Sequence, residues 1–294
     1  MPKRLDPSTP VQPVPSTFFR GSVEASAGGE ERSPDFLRPP LDSELQRRDW
    51  IAGLERGLAL IETFDEAHAR MTAAQVGERC GLTRTAARRY LLTLAHLGYV
   101  ASDGKLFWLT PRVMRLSQAY LESARLPRIV QPFLQRLTAG TQEISYLSVL
   151  DGTDIVYVAR NGANRTMNTG FVLGSRVPAQ VTASGLLLLA LLGEEWCEQW
   201  LSQARFRVFT QHTIQSADAM RAVLRRVRSQ GWCLSEQQLD LAYRGVAVPV
   251  VDRKGQVHGA LSVNMPMVPE SGEDAVRRVL PLLRETAQAM RNLI

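Results

Sequence analysis

Four side chains within six residues, Arg84, Thr85, Arg88 and Arg89, stand in the first two turns of a segment that reads as a helix. A guanidinium group is planar, permanently charged and forked, so it pairs bidentately with a guanine edge or a phosphate. Threonine can meet a phosphate or a thymine methyl. Thr83 stands just before them as a helix N-cap whose hydroxyl accepts a first-turn amide. Further on, Lys105 follows an Asp103-Gly104 turn, where a cation on a hairpin reaches a phosphate. This set suits contact with double-stranded DNA. The competing reading is a solvent face in a chain holding 32 arginines and three lysines.

A second set lies in the other half of the chain. Thr182-Ala183-Ser184-Gly185 leads into the apolar run Leu186 to Leu192. A helix start presents unpaired amides and a partial positive charge, which suit a carboxylate, and small residues let an anion approach the backbone. Arg160, Arg165 and Arg176 are near enough in sequence to supply a counter-charge, and Phe171, Trp232 and Tyr243 to supply an aromatic wall. A capped core helix with no ligand fits the same tetrapeptide, and both readings stay open.

Other chemistries are excluded. Cys80, Cys197 and Cys233 are odd in number and far apart, which rules out a CxxC zinc site or a disulfide framework and suits a reducing cytoplasm. His68, His96, His212 and His258 form no HExxH or HxH, so neither a metal nor a cofactor is expected. There is no GxSxG, P-loop or dinucleotide fingerprint, and neither His212 nor His258 has a nearby nucleophile or orienting acid. No catalytic residue is expected. The longest apolar run has seven residues, against about 20 for a membrane span. No apolar stretch near the N-terminus suits a secretory signal.

The elements that must position these residues follow from periodicity. The 294 residues suit two domains. Residues 1–49 hold eight of the 16 prolines without apolar periodicity and read as a disordered tail. Ile51, Leu54, Leu58, Ile61 and Phe64 make one helix face. Thr72 and Gln75 form a capping box opening a helix that ends at Cys80-Gly81. Thr83 caps the arginine-bearing helix, 84–97, and Tyr99-Val100 with Leu106 to Leu109 make a hairpin. Three short helices and a hairpin spell a winged helix-turn-helix over 50–111. Pro111 opens a helix carrying Val113, Leu116, Tyr120 and Leu121, a face that serves either a second copy or its own domain. Pro127 interrupts it, so 112–126 reads as a linker and 127–294 as a second domain.

In that domain strands are expected at 144–150, 155–160, 166–173, 243–251 and 256–264, and helices at 185–192, 217–229 and 274–293. The mixture predicts an α+β chain overall. The net charge of +6 permits DNA without demanding it, because residues 51–111 carry seven bases and six acids. The case for DNA therefore rests on where the arginines sit.

Three stretches, Leu54 to Ile61, Gly81 to Leu94 and Leu97 to Val100, resemble the IclR-type DNA-binding domain. Asp154 to Arg160, Gly174 to Pro178 and Val246 to Val250 resemble that family's effector domain, in the PcaR-, PcaU- and PobR-like branch that governs aromatic-acid breakdown. The resemblance implies a winged helix, a linker helix and a GAF-like α/β effector-binding domain, acting as a dimer or dimer of dimers on a palindromic operator. It implies an effector that is a small, aromatic carboxylate, with contacts on Ala183 and Ser184 beside Thr182, then Ser235, Tyr243 and Gly245, then Ser262 and Asn264. The chain departs from the pattern at Leu186, where arginine is usual, and at Gly245, where serine is usual, which implies a pocket of altered shape. A DNA-binding protein with no ligand would leave the second domain unexplained.

Overall fold

The computed structural model describes residues 49–162, 171–204 and 206–294, so the expected tail lies outside the described residues apart from Asp49. The described chain divides into two units that part between Tyr120 and Leu121.

The first unit runs α1 (Ala52–Ile61), β1 (Met71–Thr72), α2 (Ala73–Cys80), α3 (Arg84–His96), β2 (Val100–Ser102) and β3 (Leu106–Leu109). A 3-10 turn (Pro111–Val113) then leads into α4 (Met114–Ser123), which crosses the division. The capping box forms as expected, with Thr72 Oγ1 accepting from Gln75 N and Gln75 Oε1 accepting from Thr72 N. Leu60, Met71, Val76, Ala87, Leu91 and Phe107 close a single core between the three helices and the sheet. The β2–β3 hairpin gains a third strand, because Met71 and Thr72 pair with Phe107 and Leu106. A two-residue strand carries no periodicity, so nothing in the sequence announces it.

The second unit begins with α5 (Arg125–Thr141), β4 (Ile144–Asp151), β5 (Asp154–Asn161) and β6 (Arg176–Pro178). It continues through α6 (Ala183–Leu191), α7 (Glu194–Gln203), α8 (Ala217–Gln230), β7 (Cys233–Glu236), β8 (Tyr243–Val251), β9 (Val257–Pro266) and α9 (Gly272–Met290). The strands form one antiparallel sheet in the order β6-β5-β4-β9-β8-β7. One face packs under α6, with α8 and α7 joined to it through Met220, Leu224, Val227 and Leu201. The other face is covered by α5 and α9 through Leu134, Leu137, Val279 and Leu283. Every residue from Ala183 to Ala190 is buried, because α6 is enclosed on all sides.

Several expectations needed correction. Pro127 does not break a helix. It sits in the first turn of α5, where a missing N–H costs nothing, and the break is Ala124, in an extended conformation at φ −74° and ψ 121°. The strand expected at 166–173 does not extend over Phe171 to Leu173, and 166–170 lie outside the described residues. The pairing strand there is β6. Helices α5 and α7 and strand β7 had no expectation, since two prolines and mixed polarity mask their periods.

Candidate functional site

In the first unit, the Thr83 hydroxyl accepts from Ala86 N at 3.2 Å, which fixes the start of α3. Ala87, Leu91 and Leu94 turn that helix inward. Arg84, Thr85, Arg88 and Arg89 are consequently exposed together. Other arginines of this unit are committed. Arg79 donates to Asp65 at 2.7 Å, and Arg70 lies 4.2 Å over the Trp108 ring. No ion pair among the described residues engages Arg84, Arg88 or Arg89. Lys105 is exposed at the hairpin tip. There Asp103 Oδ1 accepts from Leu106 N at 2.7 Å and Lys105 N at 3.0 Å, and those two amides hold its carboxyl below the usual range.

The second site is built under α6. The Thr182 hydroxyl accepts from Gly185 N at 3.0 Å, leaving the amides of Ala183 and Ser184 without a partner among the described residues. Gly185 is obligatory: a Cβ there would stand 2.6 Å from the Ala179 carbonyl carbon, because α6 presses onto the 3-10 turn Ala179–Val181. Beneath the helix start, a Cβ on Gly245 would lie 3.4 Å from Ala183 Cβ and 2.9 Å from Asn264 Oδ1. The glycine that departs from the family pattern thus makes room for both neighbours. Leu186 is 2% exposed inside the core, a position that would leave a guanidinium stranded.

Of the expected residues, Ala183, Ser184, Gly245, Ser262 and Asn264 share this face of the sheet, and Tyr243 lies close to Tyr146. Ser235 is buried and donates to Val181 O at 3.4 Å, tying β7 to the turn before α6. Two expected partners are elsewhere. Trp232 packs on the opposite face and lines a separate open cleft of about 620 Å³ with Arg226 and Glu236. Arg176 is taken by Asp151 and Asp154 on the far end of the sheet. Arg165 lies outside the described residues.

Of the aromatic floor, sequence reasoning named Phe171 and missed Tyr146 and Tyr157. Tyr146 and Tyr157 meet at 4.7 Å between ring centroids, and Phe171 stacks on Tyr157 at 4.9 Å. Burial pushes both phenols up from their ordinary range. A bulge in β5 places these groups together. Leu147 pairs with Ala159 but Ser148 pairs with Tyr157, so Val158 is the extra residue. Tyr157 and Arg160, three apart, therefore both face α6, whereas strict alternation would set them on opposite faces. Alternation along 144–150 marks Tyr146, but no local signal marks the bulge.

Among the described residues no three His, Cys, Asp or Glu side chains gather to hold a metal ion, and no helix is long and apolar enough to cross a membrane.

Comparison with known proteins finds a match for each half of the described chain. Residues 53–104 match the IclR helix-turn-helix domain, and 118–292 match the bacterial transcriptional regulator IclR C-terminal domain. The p-hydroxybenzoate hydroxylase transcriptional activator of Acinetobacter baylyi is 38% identical over 90% of this chain and 100% of its own length. The Pca operon regulatory protein of the same organism is 36% identical over 85% of this chain and 91% of its own. Among solved structures, the inducer-binding domain of a double mutant of the PobR transcription factor from Acinetobacter, in complex with 3-hydroxybenzoic acid, is 32% identical, with a TM-score of 0.55 over 58% of this chain and 100% of that one. Two domains matched in order, together spanning most of the sequence, place this chain in the IclR family: it is a DNA-binding transcriptional regulator and not an enzyme.

Proposed function

We propose that this regulator answers to an aromatic carboxylic acid held between α6 and the β4–β5–β9 floor, and that it controls genes for the breakdown of aromatic compounds. The observation that carries the reading is the floor itself, an aromatic cluster of Tyr146, Tyr157 and Phe171 beside a helix start with two unpaired amides. Flat apolar walls with a few placed polar groups suit a ring bearing a carboxylate. The relatives named for p-hydroxybenzoate and Pca regulation, and the 3-hydroxybenzoic acid complex, support the same class.

On the DNA side, α3 enters the major groove, with Thr83, Arg84, Thr85, Arg88 and Arg89 toward the bases and phosphates and Lys105 on a flanking phosphate. The acting species is a two-fold oligomer on a palindromic operator in the cytoplasm. Ile51, Leu54, Leu58, Met114 and Leu116 are exposed apolar residues of the first unit, of which Leu54, Leu58 and Leu116 line a groove of about 380 Å³, and this surface suits a second copy. The effector acts by unequal affinity for two arrangements of the oligomer, shifting the population that fits the operator.

The test is a mobility shift on DNA flanking the regulator's own gene, at fixed salt and against random competitor, titrated with benzoate, 3-hydroxybenzoate and 4-hydroxybenzoate. A competitor-resistant band whose intensity changes with one of these acids is the expected result. Asn264→Ala should abolish the response while the band persists. A response unchanged in Asn264→Ala would move the pocket elsewhere, and a band indifferent to every acid would remove the effector class.

A further inference from the structure

Five buried side-chain polar atoms of the second unit have no hydrogen-bond partner among the described residues, and three of them lie on a single transverse row of the sheet. Tyr146 on β4 is directly opposite Arg160 on β5 and directly opposite Ser262 on β9. Their side chains project from adjacent strands toward α6. Tyr146 is 0% exposed and Ser262 is 1% exposed, yet Tyr146 Oη, Ser262 Oγ and Arg160 Nε each lack a hydrogen bond among the described residues. Buried polar groups are almost always satisfied, so three orphans on one row mark a place prepared for something else. Arg160 is also free of any carboxylate among the described residues, unlike Arg176. Its backbone carbonyl is held from α5 by Gln131 Nε2 at 3.2 Å, which steadies the strand end that carries it.

The chemistry of the three atoms selects the occupant. Arg160 only donates, and each hydroxyl can donate. A carboxylate offers about four lone-pair sites on two oxygens and no donor, so it accepts from all three at once. A neutral phenol offers fewer acceptor sites and brings a proton that guanidinium cannot take. The α6 start presents two amides and a fraction of a charge, against a full charge on Arg160.

We propose that the row Arg160–Tyr146–Ser262 is the carboxylate seat of the pocket, with Arg160 the residue that sets specificity for acids, and that the free amides of Ala183 and Ser184 receive an acceptor substituent elsewhere on the same ring. The effector class narrows accordingly to aromatic acids carrying a ring hydroxyl. This rests on the proposed aromatic effector and reverses the assignment of the carboxylate to the α6 start that the sequence suggested.

The test compares 4-hydroxybenzoate with neutral 4-hydroxybenzamide by calorimetry on the full-length protein and on Arg160→Gln and Tyr146→Phe. Wild type should prefer the acid, and Arg160→Gln should cut that preference about tenfold while affinity for the amide changes little. Tyr146→Phe, which keeps the ring, should weaken the acid several-fold. A merely structural role would lower acid and amide together, and that result overturns the proposal. An acid preference intact in Arg160→Gln also overturns it, returning the carboxylate to α6 and leaving the aromatic effector standing. If wild type binds neither compound nor any of the three acids, both proposals fall.

Discussion

The two units handle their working polar groups in opposite ways. On α3, Arg84, Arg88 and Arg89 are exposed and adjacent in sequence, and their positions follow from one cap and one helical period. Under α6, Tyr146, Arg160 and Ser262 come from three strands, and the two hydroxyls are buried without partners among the described residues. DNA is a large, charged and regular surface, so a reader needs only to display donors at helix spacing. A small acid offers little area, and a pocket must exclude water from its polar groups to make each bond count. The difference teaches that surface recognition can be written locally, whereas enclosed recognition depends on how strands are registered.

Three substitutions would break or sharpen that contrast. The largest effect belongs to Gly185→Ala, which drives a methyl into the Ala179 carbonyl group beneath α6. We expect about 3 kcal/mol or more of destabilisation, confined to the second unit. Thermal unfolding should show an early transition while the first unit keeps its own. A single undisturbed transition would mean that the α6 contact yields easily.

Next is Arg88→Ala, which should weaken operator binding by about 10- to 100-fold and relax preference at one base position. Calorimetry with the acid should be unchanged, because Arg88 belongs to the other unit. Equal loss on operator and random DNA would reassign Arg88 to phosphate. The smallest effect is that of Lys105→Ala at the hairpin tip. It should lower affinity by a few-fold on all sequences and reduce the slope of log affinity against log salt by about one. A sequence-dependent loss there would make the hairpin a reader of bases.

How far each site was legible follows the same division. Thr72, Gln75, Thr83 and Gly81 announced the helices of the first unit, since caps act over three or four residues. Its third strand was missed because two residues carry no pattern. In the second unit, β4, β8 and β9 were visible as apolar runs, and the α6 start as a capped helix. Their order in the sheet was not, so Trp232 and Arg176 were enlisted by nearness in sequence and proved to serve another face and another pair. Arg160 was enlisted on equally slender grounds, and only the bulge puts it beside Tyr157.

That bulge also bears on how such a pocket changes over generations. Removing Val158, a single codon, would make the β4–β5 ladder regular and leave Tyr157 opposite Ser148 and Arg160 opposite Tyr146, so the bulge holds one residue that β5 can lose without turning its pocket groups over. The loss of Leu261 from β9, which pairs with β4 in unbroken register, would instead carry Ser262 to the opposite face from Ala260. A change of one residue in length is therefore absorbed at the bulge and disruptive in the regular strands, which makes β5 the strand of this pocket whose length is freest to vary.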